Sequence, residues 1–465
     1  MRLLVKNGTV ITPEGEQDFD ILCEDGLIIG LLERNHQEEA DEIVDASGKI
    51  IFPGFIDPHV HSRDPGLTHK EDFSHSTLGA LVSGVTTILE MPNAIPPVDS
   101  VAVFNERKEQ HAKNAWVNFG LWGIAIGESN MKDIPELFEA GVAAVKVFWG
   151  YALHKDTKEL VYNSSDYPAD QLIPPADNGT MLRMFEQVAK SGGVIGVHCE
   201  DKDVLLAGER SLGHPIESYE DFLQSRPAAA ESISITAASE MAKITGARFH
   251  VVHMASKEGV DAVRAAQARG IKITAETCPQ FLTLLDEDFD RIGATMKWYP
   301  PIRKRADQEA LWGAILDGTI SSIGSDHAPH TIEEKQRGFT TQPAGGVGTE
   351  TFGAGLSAAF LERKVDLRTL ADVVSTKTAK LYGLYPRKGA IQVGSDADLT
   401  IVDPQAEVTI KNEELVAKTK ISAWNGMTFK GIPSESIIGG KLAMQNRQPV
   451  GERKGQFVRA QHSKG

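Results

Sequence analysis

Eight short apolar runs, at 51–59, 85–91, 117–126, 142–149, 193–198, 248–254, 271–276 and 320–326, recur along this chain of 465 residues. Segments with the mixed polar and apolar texture of surface helices lie between them, at 73–83, 101–113, 131–140, 178–191, 228–245, 257–269 and 306–316. Strands alternating with helices in this number form the cadence of an α/β chain folded as a (β/α)8 barrel. A doubly wound open sheet is the alternative. Its nucleotide-binding form lacks support, because no Gly-x-Gly-x-x-Gly opens a helix after the first strand.

The two ends of the chain have a different texture. Leu3 to Lys6, Val10 to Thr12, Asp20 to Cys23 and Leu27 to Leu32 read as short strands, with turn signals at Asn7-Gly8 and Asp25-Gly26. Strand-like runs return at 397–402, 407–410 and 435–444. Neither end can close a sheet alone. The expectation is a small composite β-sandwich from 1–50 plus 390–446, a barrel over 51–389, and a polar tail at 447–465 that wraps a neighbour or frays. The stretch 154–175, rich in Asp, Tyr and Pro, reads as an insertion after the fourth strand, a lid or an interface arm.

An excess of 64 acidic over 48 basic side chains gives a net charge of −16, which argues against nucleic acid and anionic membrane as partners. No apolar stretch approaches the ~18 uninterrupted residues of a membrane span. The start reads as a strand entering a turn and not as a signal peptide. Three scattered cysteines, Cys23, Cys199 and Cys278, make no disulfide framework and point to a reducing cytoplasm.

The polar residues at the strand ends carry the chemistry. The first strand ends in His59 and His61, which lie two apart and therefore project to the same side. The fourth carries Lys146 among Val145, Val147, Phe148 and Trp149; the fifth ends in His198, the sixth in His253 and the eighth in Asp326. In a barrel these ends converge at the C-terminal mouth. Four histidines and a carboxylate are metal ligands. An ammonium among cations is costly to bury, whereas a lysine carbamylated by CO2 becomes a bridging carboxylate. The set suits two Zn²⁺ ions at ~3.5–4 Å holding a hydroxide, with Asp326 taking the proton of the water and later delivering it to a leaving nitrogen. Such a centre hydrolyses amides or esters without a covalent intermediate. Cys199 points away from His198 and reads as core, and Asp57 as a supporting or structural acid. His69, His75, His111, His154, His214 and His250 receive no role.

These residues resemble the amidohydrolase superfamily, specifically its cyclic amide hydrolases: dihydroorotases, hydantoinases and dihydropyrimidinases, and allantoinases. The resemblance spans essentially the whole chain. It implies that His59, His61 and Asp326 bind the more buried metal, that His198 and His253 bind the second, and that N6-carboxylated Lys146 bridges them. Three features resemble dihydroorotases: His-Val-His-Ser-Arg63, Met91-Pro-Asn93, and Asp326-His-Ala-Pro-His330 with Glu333-Glu-Lys335. There the Arg, Asn and second His hold the substrate carboxylate, which assigns that grip to Arg63, Asn93 and His330. The rival reading of Arg63 is an ion pair with Asp64 or Glu71. The loop from Gly345 to Glu350 also fits, since glycines let backbone amides approach a flat ring. Other features are similar to hydantoinases and allantoinases: Tyr151, at the spacing from Lys146 of an oxyanion-stabilising tyrosine, Glu276-Thr-Cys-Pro-Gln-Phe-Leu282, and Trp298-Tyr-Pro-Pro-Ile-Arg303.

The expectation is a binuclear zinc hydrolase, a homodimer or homotetramer, that interconverts dihydroorotate and N-carbamoyl-aspartate. Its rivals are a hydantoinase, dihydropyrimidinase or allantoinase acting on another cyclic ureide, and a non-catalytic scaffold.

Overall fold

A computed structural model describes residues 1–34, 36–162, 167–453 and 455–462. Eight parallel strands pair in chain order: β1 (Phe55–Val60), β2 (Val85–Glu90), β3 (Asn118–Leu121 continued by Gly123–Ile124), β4 (Val145–Trp149), β5 (Val194–Cys199), β6 (Arg248–Val251), β7 (Ile273–Thr277) and β8 (Ser322–Ile323). The ring closes between the last and the first, where the His61 N–H donates to the His327 carbonyl at 2.8 Å. Strand β3 breaks at Trp122, whose N–H donates back to Glu90 of β2 while Gly123 donates forward to Ala144 beside β4. β1, β2 and β5 are buried on both faces, as parallel strands sheathed in helices must be.

The helices start and stop on local chemistry. Asp177 accepts from the Thr180 N–H at 2.7 Å to open Asn178–Ser191, which ends on Gly192 in the left-handed region at φ 67°. Helices Lys202–Leu212, Tyr219–Ser225 and Thr349–Glu362 were not anticipated by the sequence pattern. The last is buried along most of its length, so it shows no polar face to betray its period. Its Gly353 is obligatory, because a Cβ there would stand 1.8 Å from the Ser83 carbonyl.

One expectation is corrected at the first strand. The apolar run from Ile50 to Ile56 is two strands, separated at Gly54. Ile50–Pro53 pairs antiparallel with Leu399–Val402 and parallel with Thr9–Val10, whereas Phe55 begins the barrel. A Cβ at Gly54 would come within 2.2 Å of Thr86 Oγ1, so only glycine lets the chain pass β2 there. A boundary at residue 50 therefore cuts a strand. Ile50–Pro53 sits in a seven-stranded sheet with Leu399–Thr409, Thr428–Ile438 and other terminal strands. That sheet shares a core with a four-stranded one, Leu27–Glu33, Phe19–Glu24, Arg2–Lys6 and Glu42–Asp45, through Leu3, Val5, Ile21, Ile51, Leu399 and Ile437. This is a sandwich built from both ends of the chain.

The tail does not fray over 455–462. Phe119 of β3 donates its N–H to the Gln456 carbonyl and accepts from the Val458 N–H, Gln461 donates to Gly383, and Val458 and Ala460 are buried against the barrel. The insertion is a three-stranded flap, Leu160–Val161, Ala152–His154 and Leu172–Ile173, tethered by Lys158 to Asp99. Among the described residues no helix is long and apolar enough to cross a membrane.

Candidate metal centre and substrate cavity

His59, His61, Lys146, His198, His253 and Asp326 line one cavity at the C-terminal mouth, together with Arg63, Tyr151, Tyr162, Trp298 and Tyr299. The Nε2 atoms of His59 and His61 lie 3.4 and 3.5 Å from Asp326 Oδ1. Nδ1 of His198 lies 3.0 Å from Nε2 of His253. Lys146 is fully buried and its Nζ has no hydrogen-bond partner; neither has Nε2 of His59. Unbonded ligand atoms gathered in a buried pocket are what a metal would satisfy, so the residues fit the ions that their identities imply.

The outward nitrogens of two of these histidines are hydrogen-bonded from behind, and that of a third faces a carboxylate at ion-pair distance. Glu276 Oε1 meets His59 Nδ1 at 2.7 Å, Asn93 Oδ1 meets His61 Nδ1 at 2.5 Å, and Glu200 Oε2 lies 3.2 Å from His198 Nε2. Such partners fix the tautomer and leave the other nitrogen free to ligate. His250, assigned no role from sequence, stands behind Glu276 at 3.9 Å and bonds Thr274 Oγ1 at 2.8 Å. Asp57 braces the ring closure, its Oδ1 accepting from Ser325 N–H at 2.9 Å and His59 N–H at 3.2 Å. Cys199 is buried core, its thiol on the Val197 carbonyl. Arg63, His253 and Asp326 have φ of 59°, 41° and 50°, a left-handed backbone that side chains rarely adopt. That strain lies at the strand ends where these side chains reach the cavity.

Burial dominates the electrostatics. It pushes the Lys146 ammonium down to about 8, against the pull of Asp326 and Glu276. It likewise takes His61 down to about 4. Burial raises the Asp326 carboxyl, but His59, His61 and Lys146 outweigh it and hold the group below its ordinary value. Glu200, which burial would also raise, is drawn down to about 2 by Arg226 and His198.

Of the trio expected around a substrate carboxylate, Arg63 lines the cavity, and Asn93 and His330 stand one layer back. Asn93 is occupied with His61. His330 Nε2 donates to the Ala344 carbonyl at 3.0 Å, and its Nδ1 faces Lys70 and Glu334. Arg63 is only 6% exposed, donates Nε to the Pro329 carbonyl at 3.2 Å and abuts His330, and among the described residues it has no carboxylate within ion-pair distance. Asp64 instead accepts from Phe73 N–H and Gln110, and Glu71 from Asp72 and Lys418 N–H. Tyr151 packs edge-on against His198 at 5.1 Å, and its hydroxyl accepts from Arg226 Nη2 at 3.2 Å. Arg226 grips both oxygens of Glu200 and stacks 3.7 Å over the Tyr299 ring.

Sequence reasoning missed Glu200, Arg226, Tyr162 and Tyr299, and the supporting role of Glu276. Glu200 had a signal, two residues past His198 and so on the same side of the strand end. Arg226 had none: it follows two unanticipated helices and reaches Tyr151 only through the fold.

A model described as the amidohydrolase family matches residues 50–443. An allantoinase of Streptomyces avermitilis is 33% identical over 96% of this chain and 96% of its own. A dihydroorotase of a Geobacillus species is 34% identical over 96% of this chain and 99% of its own. Among solved structures, an L-hydantoinase (dihydropyrimidinase) from Arthrobacter aurescens superposes with a TM-score of 0.91 at 30% identity, covering 98% of this chain and 99% of that one.

Proposed function

Because this chain belongs to the amidohydrolase family and is a hydrolase of cyclic amides, we propose that it interconverts dihydroorotate and N-carbamoyl-aspartate. The observation that carries this reading is Arg63. A buried guanidinium with no acid beside it among the described residues, open to the cavity, is a costly arrangement that an anionic ligand relieves. Dihydroorotate brings a carboxylate on its ring; hydantoin, dihydrouracil and allantoin do not.

The donor set suits two Zn²⁺ ions: His59, His61 and Asp326 would hold one, His198 and His253 the other, and Lys146 as N6-carboxylysine would bridge. Held down to about 8, Lys146 has enough neutral amine near neutral pH to add CO2 and lose a proton. When bound, the ions would polarise the scissile carbonyl and lower the pKa of the attacking water. The protein's own groups do the rest. Arg63 fixes the ring by its carboxylate. Asp326 takes the proton of the water and delivers it to the ring nitrogen as the C–N bond breaks. Tyr151 donates its hydroxyl proton to the oxygen on which charge develops. Leu160 and Tyr162 of the flap cover the ring. The three buried free cysteines support a reducing compartment, the cytoplasm. A homodimer or homotetramer remains the expected assembly.

A second reading, a hydantoinase or related enzyme of neutral rings, is favoured by Tyr151 in the cavity and by the hydantoinase superposition. Zinc-loaded enzyme presented with dihydroorotate, dihydrouracil, hydantoin and allantoin separates the two. Turnover of dihydroorotate alone supports the carboxylate grip. Turnover of the neutral rings without it overturns the grip.

A further inference from the structure

We infer that Arg226 is a positioning residue: it holds the Tyr151 hydroxyl so that its proton points into the cavity, and Glu200 aligns it in turn. The inference rests on the reading of Tyr151 as the group that meets the developing oxyanion.

The argument starts from what each group can donate. A phenol has one proton and two lone pairs, and a guanidinium has donors only. With Arg226 Nη2 at 3.2 Å from the Tyr151 oxygen, that contact must run from arginine to tyrosine. No described residue accepts from Tyr151, and the ring lines the cavity. Its proton is therefore directed there. Arg226 is itself immobilised. Nε and Nη2 engage the two oxygens of Glu200, the guanidinium lies flat on Tyr299 at 3.7 Å, and the Arg226 carbonyl accepts from Arg303 Nη2 at 2.9 Å. Because Glu200 neutralises it, this arginine has no charge to spare for substrate. Glu200 Oε2 lies 3.2 Å from His198 Nε2, on the ring face away from His253. A His198 that ligates through Nδ1 turns Nε2 toward Glu200, at ion-pair distance. The four groups His198, Glu200, Arg226 and Tyr151 thus form one row, from a metal ligand to a proton donor. Lysine could not replace Arg226, since a point donor cannot span two carboxylate oxygens, meet a phenol and stack on a ring at once.

The test uses zinc-loaded enzyme labelled with 3-fluorotyrosine, the Tyr151 ¹⁹F resonance being assigned by its loss in Y151F. R226M and R226K should each shift or broaden that resonance, lower kcat about 10- to 100-fold as for a misaligned oxyanion donor, leave KM within about twofold, and leave bound zinc unchanged. R226M placed in a Y151F background should cost nothing further, as expected of two residues acting as one unit. Since R226M strands a buried carboxylate, the neutral pair E200Q/R226M is measured beside it and should show the same resonance change. An unmoved resonance in both variants, or losses that multiply in the R226M/Y151F double variant, overturns the inference. A moved resonance with Y151F turning over like the parent upholds the positioning and instead removes Tyr151 from the proposed chemistry.

Discussion

Arg63 ends the first barrel strand and Arg226 sits behind Tyr151 and Tyr299, so both guanidiniums serve the same cavity, yet their surroundings differ in kind. Arg226 has Glu200 on two of its nitrogens, an aromatic face and a phenol. Arg63 has a carbonyl and an imidazole and, among the described residues, no acid. A buried cation satisfied by its own protein is architecture; one left unsatisfied at a cavity wall is a receptor. On the proposed reading, the difference marks where charge would come from outside.

The most drastic way to break the comparison is to remove what both walls face. Stripping the enzyme with a chelator should lower turnover by at least about 10⁴-fold, with recovery on adding zinc and with zinc content measured in parallel. Turnover unaffected by complete metal loss would sink the proposed chemistry.

Next in size is Glu200→Gln, which makes Arg226 resemble Arg63 by stripping its acid. Leaving a buried guanidinium unpaired should cost about 3–5 kcal/mol of stability, read from denaturant midpoints. The same pair predicts an acid limb. The Glu200 pKa is lower folded (about 2) than unfolded (about 4.3), so its stabilisation is present above about pH 4.3 and is lost as pH falls toward about 2. In chelated protein, the parent should show that loss between about pH 4.3 and about 2, and E200Q should lack this share of it.

Arg63→Met should do the opposite. It removes a charge the fold does not use, so stability should hold or rise, while kcat/KM for dihydroorotate drops about 10²- to 10³-fold. Equal loss on dihydrouracil would mean that Arg63 shapes the site without gripping a carboxylate. The smallest effect is that of Arg63→Lys, which keeps charge but loses the fork; about a tenfold fall in kcat/KM is expected from steady-state kinetics.

The barrel was legible because its signal is local: a buried strand followed by an amphipathic helix is a change of period within one stretch of chain. The residues proposed as ligands could be picked out for a related reason, since a polar side chain closing an apolar run stands out without knowledge of its partners. What holds them was not. His59 meets Glu276 across 217 residues of sequence and Tyr151 meets Arg226 across 75, approaches that only the closed ring creates. Asn93 was visible at the end of β2, but its orientation toward His61 depends on a neighbouring strand. Helix Thr349–Glu362 escaped because a segment buried all round has no polar stripe to reveal its pitch.

The division of the first apolar run at Gly54 also bears on when the protein can work. Phe55–Val60 leaves the ribosome early, carrying His59 with His61 just behind, but the strand that anchors it, Ile50–Pro53, finds a principal partner in Leu399–Val402. Synthesis must run almost to the end before that pairing exists. Contacts so distant in sequence form late and slowly. A nascent chain therefore carries both histidines on an unanchored strand for most of its translation, and the cavity they line is completed as a post-synthetic event. Capture of the proposed metals would then be tied to the finished fold.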